Sequence, residues 1–217
     1  STSSLIALLV NFFIGISVGA NVLIARFYGG GEYDDAQQTV QTALWTGAVG
    51  GLVNGILVGV IRLNSFVSTL GMMSLYTGFV LLFIKQSPSL FGSQDMTVYR
   101  FLGQGSILGI PTPVIILAIV AIVSSIVLRR TVYGARIYAV GSNASAARYS
   151  GISPAAIIVS VYTVSGLLTG LGAVVMCSRI LSAQPKMGSG YEFTALTAIV
   201  LGGLSIQGGK GGILGTL

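Results

Sequence analysis

Apolar positions fall into long uncharged runs separated by short polar segments. The runs are Ser1–Ala25, Ala36–Ile61, Leu63–Ile84, Phe101–Leu128, Tyr149–Ser178 and Phe193–Gly209. Each of the first five is long enough for the about 20 residues that a helix needs to cross a bilayer. None alternates with the period of two that marks a transmembrane barrel strand, so helices are the expected spanning structure. The predicted fold is all-α, a polytopic transmembrane helical bundle. Its last run is short and broken: Phe193–Gly203 reads as a half-helix, with Gly202, Gly203, Gly208, Gly209, Gly211 and Gly212 around the break. Non-helical backbone at membrane depth survives only under cover of protein or a water-filled cavity. A broken or re-entrant helix is therefore expected near the C-terminus, of the kind that often builds transport pathways. An external loop with glycine turns is the alternative.

The polar segment between the fourth and fifth runs sets the orientation. RRTVYGARIYAVGSNASAARYSG, residues 129–151, carries four arginines and no acid. Short arginine-rich loops stay on the cytoplasmic side. Counting outward from there, Arg62 lies inside, whereas Arg26–Gln38, Gln86–Arg100 and Arg179–Glu192 lie outside. The same segment encodes a short capped helix: Asn143 is the N-cap, Ala144 to Ser150 the body, and Gly151 the stop. Two turns of helix are marginal alone in water, so this helix is expected to dock on something cytoplasmic. Arg129, Arg130 and Arg136 read as topological anchors. Arg148, on the docking helix, is either solvated or paired with an acidic groove on a partner.

Composition narrows the function. Of the 217 residues 53% are hydrophobic and 7% charged, and mean hydropathy is +0.89, against roughly 25% charged in soluble domains. The net charge of +6 does not indicate nucleic acid, because the basic residues sit at the ends of runs. The absence of histidine removes His-based metal sites and triads. The single cysteine, Cys177, lies in an apolar run and reads as a small packed residue. No metal, cofactor or catalytic residue is expected. The nearest phosphate-loop pattern, Ser205-Ile-Gln-Gly-Gly-Lys-Gly-Gly212, lacks the first glycine and has Gly211 where Ser or Thr is required. Energy for any transport must come from a partner or an ion gradient.

Within the runs, Gly47, Gly51, Gly55 and Gly59 share one helix face, and Gly15/Gly19 and Gly166/Gly170 repeat the spacing. Such faces let helix backbones approach closely, inside a bundle or across a dimer. Asn54 beside them is an interhelical hydrogen-bond partner or a pathway polar group. Glu192 opens the half-helix, where its carboxylate suits the helix dipole; a place near a solute exit or gate is the alternative, and Gly202 and Gly203 share that possible role. The scarcity of buried charge favours a neutral solute over an ion.

An ordered set of motifs carries a resemblance. Gly51-Leu-Val-Asn-Gly55, Phe66-Val-Ser-Thr-Leu-Gly-Met-Met-Ser74, Gly109-Ile-Pro-Thr-Pro113, Gly141-Ser-Asn-Ala-Ser-Ala-Ala-Arg-Tyr-Ser-Gly-Ile152, Ser182-Ala-Gln-Pro185, Gly188-Ser-Gly-Tyr-Glu192, Val200-Leu-Gly-Gly203 and Gly208-Gly-Lys-Gly211 together resemble the permease subunits of ATP-binding-cassette (ABC) importers for ribose and related monosaccharides. The resemblance implies a non-catalytic subunit of the bacterial inner membrane. It would pair with a second permease copy, a cytoplasmic ABC ATPase and a periplasmic sugar-binding protein. It also implies that the short helix bearing Asn143, Ala144, Ala147, Arg148 and Gly151 is the element coupled to the ATPase.

Residues 1–50 carry a different likeness. Asn11-Phe-Phe-Ile-Gly-Ile-Ser-Val-Gly-Ala-Asn21, Ile24-Ala-Arg-Phe-Tyr-Gly29 and Thr39-Val-Gln-Thr-Ala-Leu44 resemble a multidrug and toxic compound extrusion antiporter, although that family often has histidine where Gln41 stands. The expected organisation is thus an antiporter-like segment, 1–50, joined near Val49–Leu52 to a partial sugar-importer permease, 51–217. In the antiporter family the loop at Arg26–Gln38 is cytoplasmic, against the outward placement counted from the arginine segment. A drug/cation antiporter fragment and an inert chimera are the rival readings. Missing pathway helices, and an apolar pattern running up to Leu217, lead us to expect a fragment.

Overall fold

The computed structural model describes residues 35–83, 89–90, 97–107, 109–183 and 190–203. They form helices α1 (Asp35–Gly59), α2 (Ser65–Phe83), α3 (Thr97–Gln104), α4 (Thr112–Arg130), α5 (Val132–Ser142), α6 (Ala144–Tyr149), α7 (Pro154–Ile180) and α8 (Tyr191–Leu201). Four two-residue strands pair antiparallel: β1 (Ser89–Leu90) with β4 (Ser182–Ala183), and β2 (Ser106–Ile107) with β3 (Ile110–Pro111). The protein is an all-α polytopic membrane protein. Val40–Gly59, Thr112–Arg130 and Pro154–Ile180 are each long and apolar enough to span a bilayer. The outward surface of α4 is a sheath of Leu117, Ile119, Ile122, Val123 and Ile126, all more than half exposed. A surface of that kind suits lipid and not water.

The described residues fall into two compact units, one from within Ser1–Pro113 and Val159–Met187, the other from within Val114–Ile158 and Gly188–Leu217. In the first unit α1 packs on α2 and its glycine face meets α7. A Cβ on Gly51 would run into the Tyr162 carbonyl oxygen and lie 3.1 Å from the Cα atoms of Thr163 and Gly166; one on Gly55 would lie 2.8 Å from Val159 Cα. A Cβ on Gly170 would lie 2.6 Å from the Ala43 carbonyl oxygen. The glycine repeats at Gly47–Gly55 and Gly166–Gly170 are therefore two halves of one contact, and backbone proximity replaces the side-chain interdigitation of soluble bundles. Gly15 and Gly19 lie outside the described residues.

Short polar devices close the helix ends. Arg62 takes a left-handed conformation (φ 62°) after α1, and Asn64 Oδ1 then accepts from the Phe66 and Val67 amides at 3.0 and 3.4 Å to start α2. At the other end of the unit, β1 pairs with β4, the Gln104 side-chain amide donates to the Arg179 carbonyl at 3.0 Å, and Gly103 packs on the Ser178 backbone. The loops at Gln86–Arg100 and Arg179–Glu192, placed on one side of the membrane by charge counting, are thus hydrogen-bonded to each other.

The run Phe101–Leu128 is not one helix. Gly105 accepts from Thr112 through its carbonyl, Gly109 has φ +83°, and the β2–β3 turn around it separates α3 from α4. Proline lacks the amide that a continuing helix needs, so Pro111 ends the hairpin and α4 begins at Thr112. The fifth run also starts later than its apolar character indicates. Ser153 Oγ accepts from the Ala156 amide at 3.4 Å and Pro154 occupies the first helical turn, a favoured place for proline. Helix α8 stops after 11 residues, with Gly203 left-handed at φ +71°. Helix α8 thus ends at the position where the sequence places the break; Gly208–Gly212 lie outside the described residues.

Candidate functional site

Two sites of different character emerge, one in each unit. The first is the arginine segment. Its backbone is more ordered than charge alone announces. Thr131 caps α5 by accepting from the Gly134 amide at 3.2 Å, while its own hydroxyl donates back to the Val127 carbonyl at 2.6 Å. Gly134 is buried against Leu128, where a Cβ would lie 2.6 Å from the Leu128 carbonyl carbon. These contacts fold α5 back tightly on the end of α4. The polar sequence disguised this helix: Gly134 and Val140 are its buried positions, and Thr131 three residues before Gly134 was the signal available.

Helix α6 has both predicted caps. Asn143 is extended (φ −158°, ψ 100°) and its Oδ1 accepts from the Ala146 amide at 2.9 Å. At the far end the Ile152 amide donates to the Ala147 carbonyl at 3.0 Å and the Gly151 amide to the Arg148 carbonyl at 3.1 Å, with Gly151 at φ +79°. This is the paired 6→1 and 5→2 bonding of a glycine-terminated helix. The helix body ends at Tyr149, with Ser150 as C-cap. Helix α6 packs against α5, and Ala147 alone of its residues is buried. Ala144, Arg148 and Tyr149 are exposed, Tyr149 at 93%. Arg129, Arg130 and Arg136 are exposed as well, and the chain has no acid between Thr112 and Ala183 to neutralise them. The result is a rigid basic corner with one aromatic side chain standing out of it.

The second site is a cavity of about 420 Å³ faced by α1, α2 and α7. Asn54 and Thr46 of α1, Thr69 and Tyr76 of α2, and Tyr162, Ser165 and Thr169 of α7 supply polar groups, and Gly50 forms part of the wall. Among the described residues no charged side chain lines it. Asn54 Oδ1 and Thr46 Oγ1 are buried without a hydrogen-bond partner among the described residues. Leaving a buried polar group unsatisfied costs about 1–3 kcal/mol. The hydroxyls of Thr69 and Thr169 already donate to carbonyls one turn back and present lone pairs as acceptors. Sequence reasoning picked out Asn54 and missed its neighbours, because they come together only when three helices pack.

Glu192 belongs to the other unit. Its Oε2 accepts from the Gly190 amide at 2.9 Å, a carboxylate satisfying an orphan donor at the start of α8. Gly202 and Gly203 end the same helix through amide bonds to the Ala198 and Val200 carbonyls.

With this geometry in view, comparison with known proteins defines the class. The family described as branched-chain amino acid transport system / permease component matches residues 3–217. The chain belongs to this permease family and is a multi-pass inner-membrane protein. It is 41% identical over 184 residues to the ribose import permease of Escherichia coli (strain K12), covering 84% of this chain and 57% of that one. It is 38% identical over 164 residues to the ribose import permease of Bacillus subtilis (strain 168), covering 76% and 51%. With the L-arabinose transport system permease of Escherichia coli (strain K12) it shares 31% over 179 residues, 79% and 54%. The chain spans about half the length of the curated relatives it matches. No solved structure matches it significantly.

Proposed function

We propose that the chain is the membrane-spanning, non-catalytic subunit of a bacterial ABC importer for a monosaccharide. A separate cytoplasmic ATPase supplies the energy, a periplasmic sugar-binding protein delivers the solute, and a second permease copy completes the pathway. Family membership and relatives named for ribose and L-arabinose support the sugar reading. The single observation that carries the coupling role is the doubly capped α6. A two-turn helix with both ends tied transmits a push as a unit, because its orphan amides and carbonyls are already satisfied. In this reading α6 is the contact with the ATPase, Arg148 and Tyr149 reach the partner, and Arg129, Arg130 and Arg136 hold the corner on the cytoplasmic side. Asn54 belongs to the solute pathway, while Glu192, Gly202 and Gly203 shape a half-helix near the gate.

The test exchanges charge on α6. Arg148→Glu should weaken ATPase co-purification and leave membrane insertion intact. Undiminished co-purification with that variant would sink the coupling assignment.

A separate proposal concerns residues 1–50 as an antiporter-like piece. Its support is the motif likeness of Asn11–Asn21 and Ile24–Gly29. Against it, the permease family match begins at residue 3, and α1 runs unbroken through Val49–Leu52 with Gly47 and Gly51 on either side of the seam meeting the same α7. An antiporter piece joined at this point would have had to preserve that glycine register.

A further inference from the structure

Helix α4 carries an apolar stripe that runs straight into two arginines. At about 3.6 residues per turn, Ile119, Val123, Ile126 and Arg130 fall on one face of α4, with Ile122 and Arg129 at its border. These side chains are exposed, whereas Val120, Ser124, Val127 and Leu128 on the other faces are half-buried. From Ile119 to Arg130 the stripe extends about 16 Å, at about 1.5 Å per residue, within the candidate span Thr112–Arg130. Its arginine end is not occupied by the helix terminus. The Val127 carbonyl, which a terminal arginine could have taken, accepts instead from the Thr131 hydroxyl at 2.6 Å. Among the described residues neither Arg129 nor Arg130 has an ion pair or side-chain hydrogen bond. Val132, 69% exposed, follows them at the turn into α5. One kind of occupant covers all of this. A cytoplasmic protein reaches the arginines but not side chains about 16 Å into a bilayer. A hydrocarbon chain covers the stripe but brings no anion. A phospholipid does both. The chain also selects among phospholipids: a zwitterionic headgroup brings an ammonium along with its phosphate, and no acid lies between Thr112 and Ala183 to receive it. A headgroup of net negative charge brings only what guanidinium groups hold well, phosphate oxygens in bidentate pairs.

We infer that the arginine end of α4 is a binding site for an anionic phospholipid, its phosphate held by Arg129 and Arg130 and an acyl chain laid along Ile126, Val123 and Ile119. Topology alone asks only that arginines lie on the cytoplasmic side; this site needs these two at the foot of the stripe. Arg148 supplies the comparison within the same corner. It carries the same charge on α6, a six-residue helix outside every candidate span.

The test places the full chain in nanodiscs of phosphatidylglycerol and phosphatidylethanolamine, mixed in equal parts with matched acyl chains. Native mass spectrometry then counts the lipids that stay bound when the protein is released. The parent should retain phosphatidylglycerol in preference. Arg130→Gln should lower that preference about fivefold, equivalent to the about 1 kcal/mol of one arginine at an anionic surface. Arg130→Lys keeps the charge and should hold most of the preference, and Arg148→Gln should leave it unchanged. Equal retention of the two lipids by the parent would overturn the site. So would equal falls in Arg130→Gln and Arg148→Gln, or equal falls in Arg130→Gln and Arg130→Lys. Loss of ATPase co-purification in Arg130→Gln, with lipid preference as in the parent, would also overturn it and assign these arginines to the protein partner. Loss of lipid preference with the ATPase still bound supports the site and leaves the importer reading untouched.

Discussion

Adjacent glycines in α1 should respond to the same substitution with opposite sign. Gly50 and Gly51 are neighbours in one helix and both border the cavity, yet a Cβ on Gly51 would meet α7 backbone whereas one on Gly50 would meet only the Tyr76 side chain. A Cβ on Gly51 would lie 3.1 Å from two α7 Cα atoms and closer still to the Tyr162 carbonyl oxygen. Carbon atoms rest at about 3.5–4.0 Å, so Gly51→Ala must push α1 and α7 apart by roughly 0.4–0.9 Å against those Cα atoms alone. Overpacking of this kind costs about 1–3 kcal/mol. At Gly50 the nearest atom to a new Cβ is the Tyr76 hydroxyl oxygen at 3.4 Å, an ordinary contact. There Gly50→Ala should recover the about 0.5–1 kcal/mol that glycine forfeits inside a helix. Because the helix-propensity gain is common to both substitutions, the two variants should differ by about 1–3 kcal/mol, the overpacking cost at Gly51. Reversible unfolding in mixed detergent micelles, followed by helical circular dichroism, measures the difference. Shifts of equal sign and size in the two variants would refute the claim that the glycine face is a backbone contact with α7.

Other expectations concern the basic corner and α8. Asn143→Ala should cost α6 about 1 kcal/mol, read as faster hydrogen exchange at the Ala146 and Ala147 amides with the exchange of α7 unchanged. Gly151→Ala places a side chain at φ +79° and should cost about 1–2 kcal/mol, lowering the melting temperature and, under the coupling proposal, ATPase association. Glu192→Gln should weaken the start of α8 by about 0.3–1 kcal/mol, seen as faster exchange of the Gly190 amide.

The sequence reveals local features well and convergent ones poorly. The caps of α6 were legible because Asn143 and Gly151 act on their own neighbours within a few residues. The glycine faces were legible as faces, but nothing in the spacing said that Gly47–Gly55 would meet Gly166–Gly170. Helix α5 was hidden because Arg136 and the flanking Arg129, Arg130 and Arg148 dominate the pattern and its buried positions are a glycine and a valine. The run Phe101–Leu128 misled because hydropathy does not register Gly109 at positive φ or the missing amide of Pro111. Around Asn54, the contribution of Thr46, Tyr76 and Tyr162 depends on three helices packing, which no window of sequence contains.

Under the coupling proposal, α6 is the face that an ATPase grips. A photo-crosslinking amino acid in place of Tyr149, 93% exposed on that corner, tests it most directly in membranes containing the cognate ATPase; the same group in place of Ile119, 56% exposed on the apolar surface of α4, is the control. The account predicts a crosslink to the ATPase from position 149 and none from position 119. No crosslink from 149, or equal yields from both positions, would contradict it.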